Sequence, residues 1–197
     1  MYTGSGTDLQ AVPSTQGGSP EFYLVAPGDT LWEIAQAFLG NPYYWPRLWS
    51  INEQGLPGTG KVSEDEMEHL LGVSSFARGA FSDDVLLGFV ICLPPQADYG
   101  SLNYAWFNAR YQEFIYVDRV AVATESRNRG VGSALYHAVV SYSTEHHVPI
   151  AAEVNLDPPN PGSMRFHERF EFLEVGVLHH KTKSVTMLLR KGNLKNR

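Results

Sequence analysis

The chain has 197 residues, with 15 lysines and arginines against 21 aspartates and glutamates, so its formal net charge is −6. This length fits one large or two small domains, because independent domains commonly have about 100 to 150 residues. With 43% hydrophobic and 18% charged residues, the chain has enough apolar surface to fold. An acidic chain lacks the basic surface that a phosphate backbone requires, so we expect no nucleic-acid ligand.

The cysteine content and the apolar stretches bear on the compartment. Cys92 is the one cysteine of the chain, which excludes an internal disulfide and a cysteine-based zinc site. The first twenty residues lack the charged and apolar regions of a secretion signal. The longest apolar stretch, Val85 to Leu93, is far shorter than the roughly 20 residues that cross a bilayer. We expect a soluble, cytoplasmic protein that binds no membrane.

Composition divides the chain into four parts. Residues 1–20 are rich in glycine and serine and are predicted to be a disordered tail. Residues 21–53 are compact and aromatic, and residues 54–62 contain enough glycine and proline for a linker. Residues 63–197 form the main domain, in which strands and helices alternate, and we predict the α/β (α+β) class.

The elements of the main domain follow from apolar spacing. Ser63 is a predicted helix N-cap with acidic residues in the first turn after it. The sequence then predicts helix 63–71, strands 75–81 and 85–93 in a hairpin, a loop or helix at 99–112, strand 113–122, helix 130–146, strand 149–154, helix 161–170 and strands 172–179 and 184–189.

The N-terminal segment has a strand, a turn and two predicted helices. Thr30 and Glu33 are spaced for a capping box, and Pro46 fits the first turn of a second helix. The segment resembles the first three quarters of a LysM (lysin motif) domain in Tyr23-x-Val25, Gly28-Asp-Thr-Leu-Trp32, Ile34-Ala35, Trp45, Leu48 and Asn52. The resemblance implies binding of N-acetylglucosamine-containing glycans such as peptidoglycan or chitin. The last strand of that family is missing or reduced, so a packing unit docked on its neighbour is the alternative.

The most informative run is Arg127-Asn-Arg-Gly-Val-Gly-Ser133, which follows an apolar strand and opens a helix. Its glycines let the backbone approach a ligand, and the free N–H groups of the first helical turn favour an anion such as a pyrophosphate. Arg127 and Arg129 can add charge-assisted hydrogen bonds. The run lacks both a P-loop lysine and a three-glycine dinucleotide fingerprint.

The strand, Arg127-x-x-Gly130-x-Gly132 and the helix together resemble the GNAT superfamily of N-acetyltransferases. Glu153-Val154, Asn160-x-x-Ser163-x-x-Phe166-His167 and Phe172 extend the resemblance over about residues 52–192. It implies a mixed, mainly antiparallel sheet flanked by helices, with acetyl-coenzyme A bound where the fourth and fifth strands separate. The residues implied for coenzyme binding are Val120, Ala121, Val122, Arg127, Asn128, Arg129, Gly130, Val131, Gly132, Ser133 and Asn160.

Acetyl transfer to an amine needs a base for the amine, a donor for the oxyanion and a proton for the thiolate. Glu153 is the candidate base and His167 the candidate acid, although each is equally consistent with a structural role. Asn160 is either a coenzyme contact or only the N-cap of its helix. The aromatic residues of the 98–110 loop either line the acceptor pocket or pack on the sheet; they include Tyr99, Tyr104 and Trp106.

Two further groups of titratable residues are the histidine pairs and the basic residues near the C-terminus. The adjacent pairs His146-His147 and His179-His180 are poor metal ligands and are expected to lie on the surface, so no metal site is predicted. The basic C-terminal residues, Lys181 and Lys183 among them, are expected to form a solvated edge and tail.

The leading prediction is a bacterial, cytoplasmic acyltransferase of the GNAT type. It would move an acetyl group from acetyl-coenzyme A to the primary amine of a small molecule or peptide by direct attack. The alternative is a glycan-binding protein whose C-terminal domain only binds acyl-coenzyme A. A homodimer is left open.

Overall fold

The computed structural model describes residues 22–24, 45–56, 59–83 and 85–192. Strands and helices alternate along most of this length. The strands are β1 (Phe22–Leu24), β2 (Phe76–Ser82), β3 (Val85–Leu93), β4 (Ile115–Val122), β5 (Ile150–Asp157), β6 (Leu173–His179) and β7 (Ser184–Arg190). The helices are α1 (Trp45–Gln54), α2 (Glu64–Gly72), α3 (Leu102–Asn108), α4 (Val131–His146) and α5 (Pro161–Arg169), with a 3-10 turn at Thr124–Ser126.

The seven strands form one sheet in the order β1-β2-β3-β4-β5-β7-β6. All neighbouring strands are antiparallel except β4 and β5, which are parallel because α4 crosses between them. This mixed, mainly antiparallel sheet with helices on it confirms the predicted α/β class.

The sheet opens between β4 and β5. These strands pair only at Ile115 with Ile150 and at Tyr116 with Ala151. Beyond this point β4 carries a bulge, because Arg119 and Val117 face consecutive residues of β3 and Asp118 has no partner there. A bulge bends its strand and increases the local twist. The strands therefore diverge from Val117 onward and leave a cleft in the middle of the sheet.

Helices cover both faces of the sheet. α4 packs Val131, Leu135 and Val139 against one face, in a cluster with residues of β3, β4 and β5. α1 and α2 cover the other face through Ile51 and Met67. Because side chains alternate across a strand, β3 contributes to both layers. The cleft is thus held open between two packed layers.

Most of the predicted elements are confirmed. Ser63 forms a capping box with Glu66 at the start of α2, as the first-turn pattern predicted. The 99–112 segment contains α3, capped by the Ser101 side chain. Within the described part of the chain, no helix is both long and apolar enough to cross a membrane.

The described parts of the N-terminal segment belong to the main sheet and its helices. β1 pairs with β2, and α1 packs against β3 and β4 with Ile51 fully buried. The predicted second helix, with Pro46 in its first turn, is α1. The rest of the LysM-like segment, residues 25–44, lies outside the described residues, as do the predicted tail and Pro57 and Gly58 of the predicted linker. Glycan binding by this segment stays a prediction.

Replacing Gly88 by alanine is expected to destabilise the fold. A Cβ at this position would lie 2.7 Å from the Ala121 carbonyl oxygen and 3.1 Å from a Val131 methyl group. Overpacking of this kind costs about 1–3 kcal/mol, which lowers the melting temperature by several degrees. Gly72→Ala is the matched control, because nothing lies within 4 Å of its added Cβ. Equal melting temperatures for the two variants would contradict the close packing of β3 on β4.

Candidate active site

Two cavities meet at the divergence of β4 and β5. The larger, about 510 Å³, is lined by the free edge of β4 and by Arg127, Tyr136 and His167. The smaller, about 200 Å³, is lined by Tyr99, Asn103 and Lys183 among others. Five residues line both cavities and form the wall between them. They are Asp118, Glu153, Asn155, Asn160 and Ser163.

Glu153 of β5 is the central carboxylate of this wall. Its Oε1 accepts hydrogen bonds from the Tyr116 hydroxyl at 2.9 Å and from Asn103 Nδ2 at 2.8 Å. Its Oε2 is buried and has no partner among the described residues. Burial raises the pKa of Glu153 to about 7, against the two hydrogen bonds, which lower it. A buried carboxyl with one free oxygen and such a pKa can exchange a proton near neutral pH.

A second layer of contacts orients Asn103. Its Oδ1 lies 2.8 Å from His180 Nε2, so this imidazole nitrogen donates and the Asn103 amide group is turned toward Glu153. His180 follows β6, and its half-buried side chain links the β6–β7 turn to α3. The prediction that the histidine pairs lie on the surface is confirmed for His146, His147 and His179, which are exposed, but not for the half-buried His180.

Asp118, the bulged residue of β4, is held by its neighbour. Arg119 Nε donates to Asp118 Oδ2 at 2.7 Å, and the two side chains are 2% and 3% exposed. Arg119 also donates to Asn52 Oδ1 of α1 at 3.1 Å. Burial, together with the nearby Asp118 carboxylate, raises the pKa of Tyr99. The charge of Asp118 is thus matched inside the protein.

The loop into α4 contains two residues in left-handed backbone conformation. Gly130 has φ +84° and open space around it, and Asn128 precedes it at φ +58°. Gly130 caps α4 without any side-chain hydrogen bond, so the first-turn N–H groups have no capping side chain. Asn128 and Arg129 are exposed. Arg127 instead bonds to the carbonyls of Gln54 and Val122 and so ties the loop to α1 and β4.

His167 lies in the wall of the larger cavity and is 5% exposed. Its Nδ1 lies 2.8 Å from the Ser163 carbonyl oxygen, which only accepts, so Nδ1 carries the proton. Its Nε2 therefore accepts from the Tyr136 hydroxyl at 2.7 Å. Burial lowers the pKa of His167, which favours this neutral form. Asn160 caps α5 by accepting from the Ser163 N–H at 3.0 Å, and it also lines both cavities.

The structure separates the predicted aromatic residues. Tyr99 lines the smaller cavity, but Tyr104 is 1% exposed in the core and bonds to the backbone of Pro94 and Ala97. Trp106 packs on Gly176 and under the Arg110 guanidinium, away from the cleft. Tyr104 and Trp106 therefore pack within the protein, and of the three predicted aromatic residues only Tyr99 lines the smaller cavity.

Sequence reasoning missed five side chains of the site: Asn103, Tyr116, Asp118, Tyr136 and His180. Tyr116 and Asp118 could have been flagged, with Arg119, as polar residues inside a mainly apolar strand. Asn103 and His180 gave no local signal, since 77 positions separate them.

Among the described residues, no group of histidines, cysteines and carboxylates could hold a metal ion. Cys92 is fully buried in β3, and burial raises the pKa of its thiol, as expected of an inert core cysteine.

The chain belongs to the acetyltransferase (GNAT) family, whose sequence model matches residues 31–172. It is therefore an acetyl-coenzyme A-dependent N-acetyltransferase, as the resemblance of the glycine run implied.

Solved structures of such enzymes share the fold. Arabidopsis thaliana NAA60 with a bisubstrate analogue has a TM-score of 0.63 at 19% identity, over 89% of this chain and 99% of that one. The ribosomal-protein-S18-alanine N-acetyltransferase of Escherichia coli has a TM-score of 0.60 at 13% identity, over 77% and 89%. An aminoglycoside 6'-N-acetyltransferase complexed with coenzyme A has a TM-score of 0.59 at 15% identity, over 77% and 92%.

A curated protein matches a short stretch of the sequence. The uncharacterized protein YqbP of Bacillus subtilis (strain 168) is 37% identical over 38 residues, which is 19% of this chain. The chain spans 17% of the length of that relative. The match therefore carries no activity over to this chain.

Proposed function

We propose that the enzyme acetylates a primary amine by direct attack, with acetyl-coenzyme A in the larger cavity and the amine in the smaller one. The observation that carries the proposal is the position of Glu153 on the wall between the two cavities, with Oε2 buried and unpaired. An amine entering the smaller cavity would find there a carboxylate oxygen with no other partner among the described residues.

Glu153 serves as the general base. An alkyl amine with a pKa near about 10.4 is mostly protonated at neutral pH and must lose a proton before it attacks. Glu153 takes that proton at Oε2, because its pKa of about 7 leaves a large part of it ionised near neutrality. The amine nitrogen then bonds to the acetyl carbon, the carbon–sulfur bond breaks, and the second amine proton balances the departing thiolate.

The coenzyme side is formed by β4 and the start of α4. The first-turn N–H groups of α4 have no capping side chain, and nothing lies within 4 Å of a Cβ placed on Gly130, which leaves room for a pyrophosphate at this helix start. The free edge of β4 from Val120 to Val122 supplies backbone N–H groups for the oxyanion. Arg127 supports the loop through its carbonyl contacts, while exposed Arg129 remains available to a phosphate.

The Tyr136–His167 pair lies on the sulfur side of the cleft. In the neutral tautomer, the Tyr136 hydroxyl donates its one proton to His167 Nε2, so neither side chain presents a free proton to the cleft. We assign the hydrogen bond to the leaving sulfur to Tyr136, whose hydroxyl must first rotate its proton from His167 Nε2 to the sulfur, with His167 as its positioning residue. The raised pKa of Tyr136, caused by burial, keeps that hydroxyl protonated.

Initial-velocity kinetics test direct attack. Varying acetyl-coenzyme A at several fixed amine concentrations should give intersecting reciprocal plots, because both substrates must be bound before the acetyl group moves. Cys92 is buried with a raised thiol pKa and cannot carry the acetyl group between two half-reactions. Parallel plots, or an acetylated enzyme trapped without amine, would contradict this mechanism.

A further inference from the structure

The β6–β7 turn forms one side of the smaller cavity. The His180 N–H donates to the Lys183 carbonyl at 2.8 Å, and the His180 side chain bonds to Asn103 at 2.8 Å. These contacts fix the turn against α3 at the cavity. Lys183 lines the cavity from this turn, with an exposed side chain. Its ammonium has no hydrogen-bond or ion-pair partner among the described residues.

The other two charged residues that line this cavity are Asp118, which is ion-paired, and Glu153, which titrates near neutral pH. Asp118 is neutralised by buried Arg119 at 2.7 Å. Glu153 has a pKa of about 7, so at neutral pH it carries only part of a negative charge. Lys183 acts on Glu153 electrostatically and lowers its pKa, but no ion-pair partner among the described residues contacts the Lys183 ammonium, which leaves it free to bind a ligand. A ligand bound beside it is favoured if it carries a negative charge and disfavoured if it carries a second positive one.

The size of the cavity restricts the ligand further. Its volume of about 200 Å³ is below the range of about 300–1,000 Å³ that is usual for drug-sized ligands. Its lining is mainly polar, with hydroxyls from Tyr99, Ser101 and Tyr116 and the amide of Asn103. This volume and lining fit a small, hydrophilic molecule.

We propose that the acceptor is a small primary amine that also carries a carboxylate, of the size of an amino acid, with Lys183 binding the carboxylate and Glu153 the amine. This inference rests on the proposed function, in which the smaller cavity holds the acceptor. A zwitterionic amino acid has one group for each of these residues: a carboxylate for the basic Lys183 and an amine for the proton-accepting Glu153. A polyamine would place its second ammonium against Lys183.

Matched acceptors test the carboxylate. We expect wild-type enzyme to acetylate amino acids with a higher kcat/KM than the corresponding amino-acid amides, and to use putrescine least. Lys183→Met should raise the KM of amino acids roughly tenfold and leave the KM of the amides unchanged, because only the former lose a charge-assisted bond. Lys181→Met is the control, since Lys181 belongs to the same turn but does not line the smaller cavity.

Three outcomes would overturn the proposal. They are a preference for amides or putrescine over amino acids, equal effects of Lys183→Met on both acceptor types, and no acetylation of any amino acid. Calorimetric titration with acetyl-coenzyme A separates this from failure of the proposed function. An enzyme that binds acetyl-coenzyme A but rejects amino acids refutes the acceptor class, whereas an enzyme that fails to bind it refutes the assignment of the cleft.

Discussion

Glu153→Gln lowers kcat by a factor of about 10² to 10⁴, the usual contribution of a general base. The substitution keeps the shape of the side chain and can still accept the Tyr116 hydroxyl, but it removes the proton acceptor at Oε2. Affinity for acetyl-coenzyme A should not change, because the glycine loop of α4 is untouched. Thiol release with a saturating amine measures kcat, and Glu168→Gln, an exposed change on α5, is the control.

The pH profile identifies the same group. Because burial raises the pKa of Glu153 to about 7 and only the ionised form accepts a proton, activity should rise with pH through about 7. Glu153→Gln should lose that rising limb as well as the rate. If the variant keeps both the limb and most of the rate, Glu153 is a structural carboxylate and the base lies elsewhere.

Gly130→Val is expected to lower the affinity for acetyl-coenzyme A by tenfold or more. Gly130 has φ +84°, and an L-residue in left-handed conformation costs about 1–2 kcal/mol, most for a β-branched side chain. Valine therefore shifts the start of α4 and misdirects the N–H groups that face the pyrophosphate. Equilibrium binding of acetyl-coenzyme A measures the effect.

Gly130→Asn separates backbone from steric causes. Asparagine tolerates positive φ, as Asn128 does two positions earlier, so it should bind the coenzyme better than valine does. Open space around Gly130 means that neither side chain should unfold the protein. Unchanged affinity in both variants would show that this loop is only a turn into a helix.

The fold and the glycine loop at the start of α4 could be predicted because their signals are local. Gly130 and Gly132 stand three and five residues after Arg127, directly behind an apolar strand, and Ser63 stands three residues before Glu66. Such spacings determine backbone geometry and caps within a few residues. Glu153 and His167 could be named only through the family resemblance, and their roles were open between catalysis and packing.

Apart from Glu153 and Tyr99, the proposed acceptor side could not be predicted, because it is assembled from distant parts of the chain. Asn103 meets Glu153 across 50 positions and His180 across 77. The bulge that exposes Asp118 depends on its pairing with β3, which no spacing within β4 reveals. Lys183, assigned to a solvated edge, reaches the cavity because the β6–β7 turn folds onto α3. Tertiary contacts, not local pattern, decide these positions.

The most direct test of the account is isothermal titration of the full chain with acetyl-coenzyme A. The cleft between β4 and β5 and the uncapped start of α4 predict one site per chain, with a dissociation constant of about micromolar, equivalent to about −8 kcal/mol. The measurement needs no knowledge of the amine. One-to-one binding that Gly130→Val weakens would support the assignment, and the absence of binding to the wild-type chain would contradict it.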